Sequence, residues 1–202
     1  MATVLRIDSS ALSSGSHSKA LVDFFQKQWL EKHPTDTFQM LDLSQTPPPH
    51  LSEATIGAMF TPAEERSAEQ TQQLALSTDY IEQLKNADVV LISAPMYNFG
   101  IPSTLKAYLD HTLRVGETFV YTGNGPKGLL EGKKAIVVTA SGGNYTLPPL
   151  DAMNFVTPYL KTALGFIGIG DVTLVEAPGM AGDEAAINAS IEQAKQTLQK
   201  CL

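Results

Sequence analysis

Asp88-Val89-Val90-Leu91-Ile92-Ser93-Ala94 is apolar on both of the faces a β-strand presents. A sheet with one wet face alternates apolar and polar residues, so this run belongs to a central parallel strand covered by helices on each side. Upstream, Thr3 to Ile7 reads as a first strand, followed by a helix with Leu21, Phe24, Phe25 and Trp29 on one face, and Thr37 to Leu43 as a second strand. The breaker Thr46-Pro47-Pro48-Pro49 precedes a short helical segment near Ser52 to Phe60. Thr61-Pro62-Ala63-Glu64 then has the form of a helix start, with Thr61 as N-cap and Pro62 in the first turn, and this helix is expected to run to about Leu84.

Downstream, Leu105, Tyr108, Leu109, Thr112 and Leu113 share a helical face. Ala135 to Thr139 and Val172 to Ala177 are two further buried strands, and the terminal helix carries Ile187, Ile191, Ala194 and Leu198. Five strands alternating with about five helices give an α/β fold, a doubly wound parallel sheet with helices on both faces. With 202 residues and about 150 residues per domain, one domain over 1–202 is expected. Ligands in such folds bind outside the carboxyl ends of the strands where the strand order reverses, which directs attention to the loops after strands one, three and four.

Composition narrows the function. The formal charge is −7, and Lys and Arg form no cluster, which disfavours nucleic acid and anionic membrane as partners. Cys201 is the sole cysteine, so an intrachain disulfide and a cysteine zinc site are excluded and a reducing cytoplasm is the expected location. No stretch approaches the roughly 18 apolar residues of a membrane span. His33, His50 and His111 are scattered without metal-ligand spacing, and no metal is expected. Neither a Cys-x5-Arg loop nor a Gly-x-Ser-x-Gly elbow is present, which argues against hydrolase chemistry.

The first loop, residues 9–18, holds six serines in ten residues and leads into a helix. Helix N-terminal amides and serine hydroxyls there suit one phosphate group. The Gly-x-Gly-x-x-Gly turn of a dinucleotide site is absent, so a mononucleotide fits better. The same residues also fit a serine-rich surface loop with one N-cap. The second loop, Pro95-Met96-Tyr97-Asn98-Phe99-Gly100-Ile101-Pro102, offers aromatic groups to flank a planar ring and amides to reach its heteroatoms. In the third, Ala140-Ser141-Gly142-Gly143-Asn144-Tyr145, adjacent glycines permit close backbone approach to a ring edge rich in carbonyl oxygens, or simply make a turn.

Ala94-Pro95-Met96-Tyr97-Asn98-Phe99, the Ser-x-Ser of Ser16-His17-Ser18, Thr118-Phe119 with Tyr121, Asn124-Gly125-Pro126 with Gly128, and Leu164-Gly165-Phe166-Ile167-Gly168 occur in that set across the whole chain. In these motifs the chain resembles the FMN-dependent NADH-azoreductase family, within the flavodoxin-like NAD(P)H:quinone reductases. The resemblance implies the flavodoxin-like strand order 2-1-3-4-5. It implies that Ser10, Ser16, His17 and Ser18 hold the FMN phosphate, that Met96, Tyr97, Asn98 and Phe99 cover the isoalloxazine, and that Ala140, Ser141, Gly142 and Gly143 meet its pyrimidine edge. It also implies a homodimer with the active site at the subunit interface, where Tyr121 and Phe166, with Tyr145, shape the substrate pocket. Two departures bear on substrate preference: relatives often have Ser-Arg-Gly-Gly where this chain has Ala140-Ser141-Gly142-Gly143, and some carry a histidine near Tyr145.

The implied activity is reduction of quinones to hydroquinones and of azo compounds to aromatic amines, by two-electron hydride transfer from NADH or NADPH through flavin N5. No side chain is expected to act as a covalent catalyst. Two other functions share the same loops, a flavodoxin-type one-electron carrier and a non-catalytic FMN-binding protein. The extra segments around residues 50–70 and 116–132 suit pocket walls and an interface, which an open-edged carrier does not need.

Overall fold

The computed structural model describes residues 1–202. In chain order the elements are β1 (Thr3–Asp8), α1 (His17–Lys32), β2 (Thr37–Asp42), α2 (Glu53–Phe60), α3 (Ala68–Gln73), α4 (Ala75–Asn86), β3 (Val89–Pro95), α5 (Ser103–Thr112), β4 (Phe119–Thr122), β5 (Gly125–Gly128), β6 (Lys134–Ala140), α6 (Thr157–Phe166), β7 (Asp171–Ala177) and α7 (Glu184–Gln199). Short 3-10 turns occupy Ala63–Glu65 and Leu150–Met153. The five expected strands form one parallel sheet in the order β2-β1-β3-β6-β7. The strand order reverses beside β1 and β3, which opens a crevice at their carboxyl ends.

Every residue of β3 is buried. Val90, Ile92 and Ala94 join Leu105, Tyr108, Leu109, Leu160 and Leu164 in one apolar layer under α5 and α6. Val89 and Leu91 point the other way, against Leu21, Val22 and Phe25 of α1 and Ala194 and Leu198 of α7. Two-sided burial of this strand is what its unbroken apolar sequence requires.

The helix expected from Thr61 to Leu84 starts later and is broken. Thr61 instead closes α2, its amide and hydroxyl both donating to Gly57 O. Arg66 Nε donates to Ala58 O and Thr61 O, so residues 61–66 satisfy the end of one helix and cannot begin the next. The capping box lies at Ser67 and Gln70, which exchange amide-to-side-chain bonds of 3.1 and 3.0 Å. The chain then bends at Leu74 into α4.

The antiparallel hairpin β4-β5 stands apart from the main sheet, its strands joined across Gly123-Asn124. It seats on the end of α6 by direct backbone contact: a Cβ on Gly128 would collide with the Gly168 backbone and Ile167 carbonyl carbon. Gly168 itself has φ +104°, and a Cβ there would lie 2.9 Å from Leu130 N. No helix is long and apolar enough to cross a membrane.

Candidate functional site

Ser9 ties the first loop to the sheet, its amide (3.1 Å) and hydroxyl (2.7 Å) both donating to Ser93 O. The loop then turns at Gly15, φ +74°, into the N-terminus of α1. Ser16 is the N-cap, its hydroxyl accepting from Lys19 N. The Ser18 hydroxyl is wholly buried between Ser93 Oγ (3.1 Å) and Ser16 Oγ (3.3 Å). The His17 and Ser18 amides donate to no acceptor in the chain. Free first-turn amides carry the positive end of the helix dipole and are ready donors to an anion.

A charged network underlies this loop. Arg6 and Asp8 on β1 are each 2% exposed. Arg6 Nη2 donates to Asp8 Oδ2 (2.8 Å) and pairs with Asp23 of α1 (2.6 Å), while Nη1 donates to Gln26 Oε1 (2.8 Å). Lys19 Nζ pairs with Asp42 at 2.7 Å and stands 3.9 Å from Asp8. Burial pushes the Asp8 carboxyl up, opposed by Arg6 and Lys19; Asp42, partly desolvated, is held below its ordinary value by Lys19 and Ser44.

After β3 the chain makes a tight turn in which Tyr97 and Gly100 exchange backbone bonds of 2.9 and 3.0 Å. The two residues at its tip, Asn98 (φ 47°) and Phe99 (φ 71°), both lie in the left-handed region. Asn tolerates that conformation, whereas for Phe it is a strained state of the kind found at functional sites. Their amides donate to no group of the chain. Tyr97 Oη reaches back to the first loop, accepting from the Ala11 amide at 3.1 Å and lying 3.4 Å from Ser10 Oγ.

The third loop is pinned through its carbonyls. Ser141 O, Gly142 O and Gly143 O accept from the amides of Met180, Ala181 and Gly179 in the loop after β7 (2.9, 3.1 and 3.2 Å). The Gly142 and Gly143 amides remain free. A Cβ on Gly143 would lie 3.1 Å from the Tyr145 ring, so the second glycine makes room for that side chain.

These three loops enclose one cleft of about 150 Å³, lined among others by Ser10, Ser16, His17, Ser18, Met96, Tyr97, Ala140, Ser141 and Gly142. A second, larger hollow of about 570 Å³ lies over Met96, Tyr97, Asn98, Ile101 and Ser103. Phe99, next to Asn98 of that lining, meets Tyr145 edge to face, with ring centroids 6.0 Å apart. Tyr121 and Phe166 do not line either hollow. They gather around Phe119, at 5.6 and 4.6 Å between centroids, and Tyr121 is left 71% exposed.

Sequence reasoning missed Met180, which lines the cleft from the loop after β7; Pro178-Gly179 was the turn signal for that loop. It also missed Asn154. This side chain accepts from the Val156 and Thr157 amides with Oδ1 (3.0 and 3.2 Å) and donates with Nδ2 to Tyr145 O and Glu176 Oε1 (both 3.4 Å). Burial pushes the Glu176 carboxyl up, partly offset by the Asn154 amide. His111 is buried, with Nε2 2.9 Å from Pro49 O. Cys201 lies far along the chain from these loops and its thiol, raised by burial, donates to Thr197 O.

A family model described as flavodoxin-like fold matches residues 2–202. An FMN-dependent NADH:quinone oxidoreductase of Hydrogenovibrio crunogenus is 89% identical over the whole of both chains. One from Burkholderia pseudomallei is 48% identical over 94% of each. Among solved structures, an FMN-dependent NADH-azoreductase from Bacillus anthracis in complex with FMN superimposes with a TM-score of 0.88 at 26% identity, covering 100% of this chain and 99% of that one. With such likeness along its full length, the chain belongs to the flavodoxin-like family that contains the FMN-dependent NADH:quinone oxidoreductases and NADH-azoreductases.

Proposed function

We propose that this protein is an FMN-dependent NADH:quinone oxidoreductase that also reduces azo compounds. The observation that carries the reading is the convergence of three loops on one cleft, with pairs of free amides at His17-Ser18, Asn98-Phe99 and Gly142-Gly143. This donor set fits FMN: an anion at the helix N-terminus and a flat, acceptor-rich ring between the two other loops. When bound, FMN supplies the hydride chemistry at N5. The chain binds and orients. Ser16 and the α1 amides of His17 and Ser18 hold the phosphate, Ser10 and Tyr97 join the first two loops around it, and Met96 to Phe99 form the wall against the ring. The Asn98 and Phe99 amides meet the ring's heteroatoms, and the Ala140 to Gly143 backbone meets its pyrimidine edge.

NADH and the electrophile use the open side of this cleft in turn, which gives ping-pong kinetics and needs no nucleophilic side chain. The protein acts as one domain and as a homodimer, with Tyr121 and Phe166 completing the partner's substrate pocket. Supporting the dimer, Phe60, Tyr121 and Phe155 are large apolar side chains left 76, 71 and 63% exposed. The single unpaired cysteine fits a cytoplasmic setting.

The test is the visible spectrum of the FMN-reconstituted protein under anaerobic conditions, followed through addition of NADH and then a quinone. Bleaching by NADH and recovery with quinone are expected. FMN that binds but responds to neither NADH nor NADPH would identify a carrier or binding protein, and failure to bind FMN would overturn the reading. Sedimentation velocity checks the dimer.

Two substitutions probe the donor set. Ser16→Ala removes both the N-cap and a phosphate-facing hydroxyl; it is expected to cost about 1 kcal/mol of stability and to weaken FMN binding roughly tenfold or more, read by thermal melts and fluorescence titration. Asn98→Ala keeps the backbone donor but loses the residue that tolerates a positive φ. A strain cost of about 1 kcal/mol is expected to weaken FMN binding by less than tenfold, whereas a larger loss in the same titration would assign the amide side chain a direct contact.

A further inference from the structure

The Phe99 and Tyr145 rings come from different loops, after β3 and after β6, and their edge-to-face contact needs both loops to be fixed relative to each other. The bonds within each loop, the Tyr97–Gly100 pair in one and Ser141 Oγ to Gly143 O in the other, shape that loop without tying the Phe99 turn to the Tyr145 segment. The link is made by the segment before α6. The Phe155 amide donates to Phe99 O at 3.0 Å, and the preceding residue, Asn154, donates to Tyr145 O and to Glu176 Oε1 at the end of β7. Asn154 Oδ1 meanwhile receives the first free amides of α6, which sets the direction in which that helix leaves. One half-buried amide thus joins the sheet, α6 and the Tyr145 loop, while its neighbour holds the Phe99 turn.

Resting on the proposed oxidoreductase function, we propose that Asn154 is a positioning residue for the acceptor. It holds Tyr145 against Glu176 while Phe155 holds Phe99, and thereby fixes the aromatic rim and the width of planar acceptor that enters. Asn154 has no contact with the cleft itself, so it acts on the rim and not on the bound cofactor. Two-ring quinones, which extend past the rim, depend on it more than one-ring quinones.

The alternative role, a helix cap and nothing more, is separated by Asn154→Asp. Aspartate keeps the Oδ1 acceptor and is itself a favoured cap, but it cannot donate to Tyr145 O and sets a second carboxylate against Glu176. The variant is expected to melt within a few degrees of the parent and to keep its FMN affinity. KM for a two-ring naphthoquinone should rise roughly five- to tenfold, the size of one lost hydrogen bond between neutral groups, with kcat for one-ring benzoquinone little changed. Hydrogen exchange on the FMN-free protein should quicken at the Phe155 amide. Adding Glu176→Gln removes the carboxylate repulsion between positions 154 and 176 without giving Tyr145 O a donor, and should therefore recover any lost thermal stability while the raised KM persists.

An Asn154→Asp protein with parental exchange and an unchanged ratio of the two KM values would overturn the proposal, as would a double variant whose KM returns to the parental value. Failure of the parent to reduce either quinone would refute the oxidoreductase reading instead, and the exchange measurement would still decide whether Asn154 fixes the rim.

Discussion

Gly128→Ala is expected to unseat the β4-β5 hairpin. The methyl group would fall on the Gly168 backbone, and neither side can yield without breaking the bond from the Leu130 amide to Ile167 O (2.8 Å). Overpacking a well-packed core costs about 1–3 kcal/mol as side chains and backbone shift to make room. Here the obstacle is backbone already held at φ +104°, so the upper end of that range or beyond is expected. The damage should be local: Phe119 leaves Phe166, Tyr121 loses its platform, and quinone turnover falls steeply while FMN affinity, carried by the loops after β1, β3 and β6, falls little. Turnover and FMN titration measured side by side check this. An equal loss in both would mean that the hairpin supports the sheet and not the substrate pocket.

Arg6→Ala should have the second large effect. It leaves the Asp8 carboxylate buried with only Lys19, 3.9 Å away, for company, and it frees Asp23 and Gln26 on α1. Breaking a buried pair by removing one partner typically costs about 3–5 kcal/mol, and the remaining lysine places the expectation near the lower figure. The pH dependence follows from Asp8. Burial already raises its carboxyl above the ordinary 3.8, and loss of Arg6 lets it rise further. A folded state that binds this proton more tightly than the unfolded chain is favoured at low pH, so the variant should lose stability as pH rises through the raised value. Denaturant melts at pH 5 and pH 8 should show the larger deficit at pH 8. Arg6→Met with Asp8→Leu, which removes the charges together, should recover most of it.

The main sheet was legible because its signal is physical and redundant. A strand such as Val89 to Pro95, apolar on both faces, has few alternatives to the middle of a parallel sheet, and the helices on either side repeat their apolar residues at helical spacing. The hairpin was not read as strands because Gly125-Pro126-Lys127-Gly128 holds no β-forming residue; only its partner and the α6 backbone make it a strand. The helix start failed at Thr61 for a related reason. Thr61 and Ser67 both carry cap chemistry, and the choice between them was made by Arg66 folding back on α2, a tertiary contact that no local rule encodes.

For the site, the three loops and most of their members were legible from position in the fold, since the carboxyl ends of β1, β3 and β6 must meet near the reversal of strand order. The strained pair Asn98-Phe99 was not, because nothing in a Tyr-Asn-Phe-Gly run announces two consecutive positive φ values. Asn154 was invisible for a different reason: its partners Tyr145 and Glu176 lie 9 and 22 residues away and come together only in the folded chain.

The loop after β6 gives its carbonyls to the neighbouring loop and leaves the amides of Gly142, which lines the cleft, and Gly143 without an acceptor in the chain. Donors of this kind belong to no side chain, so substitution at 140 or 141 changes the surroundings of the contact and leaves the contact itself in place. Proline is the one residue that deletes a backbone donor outright, and a scan that places it at 142 and 143 would therefore see this edge where alanine scanning is blind to it.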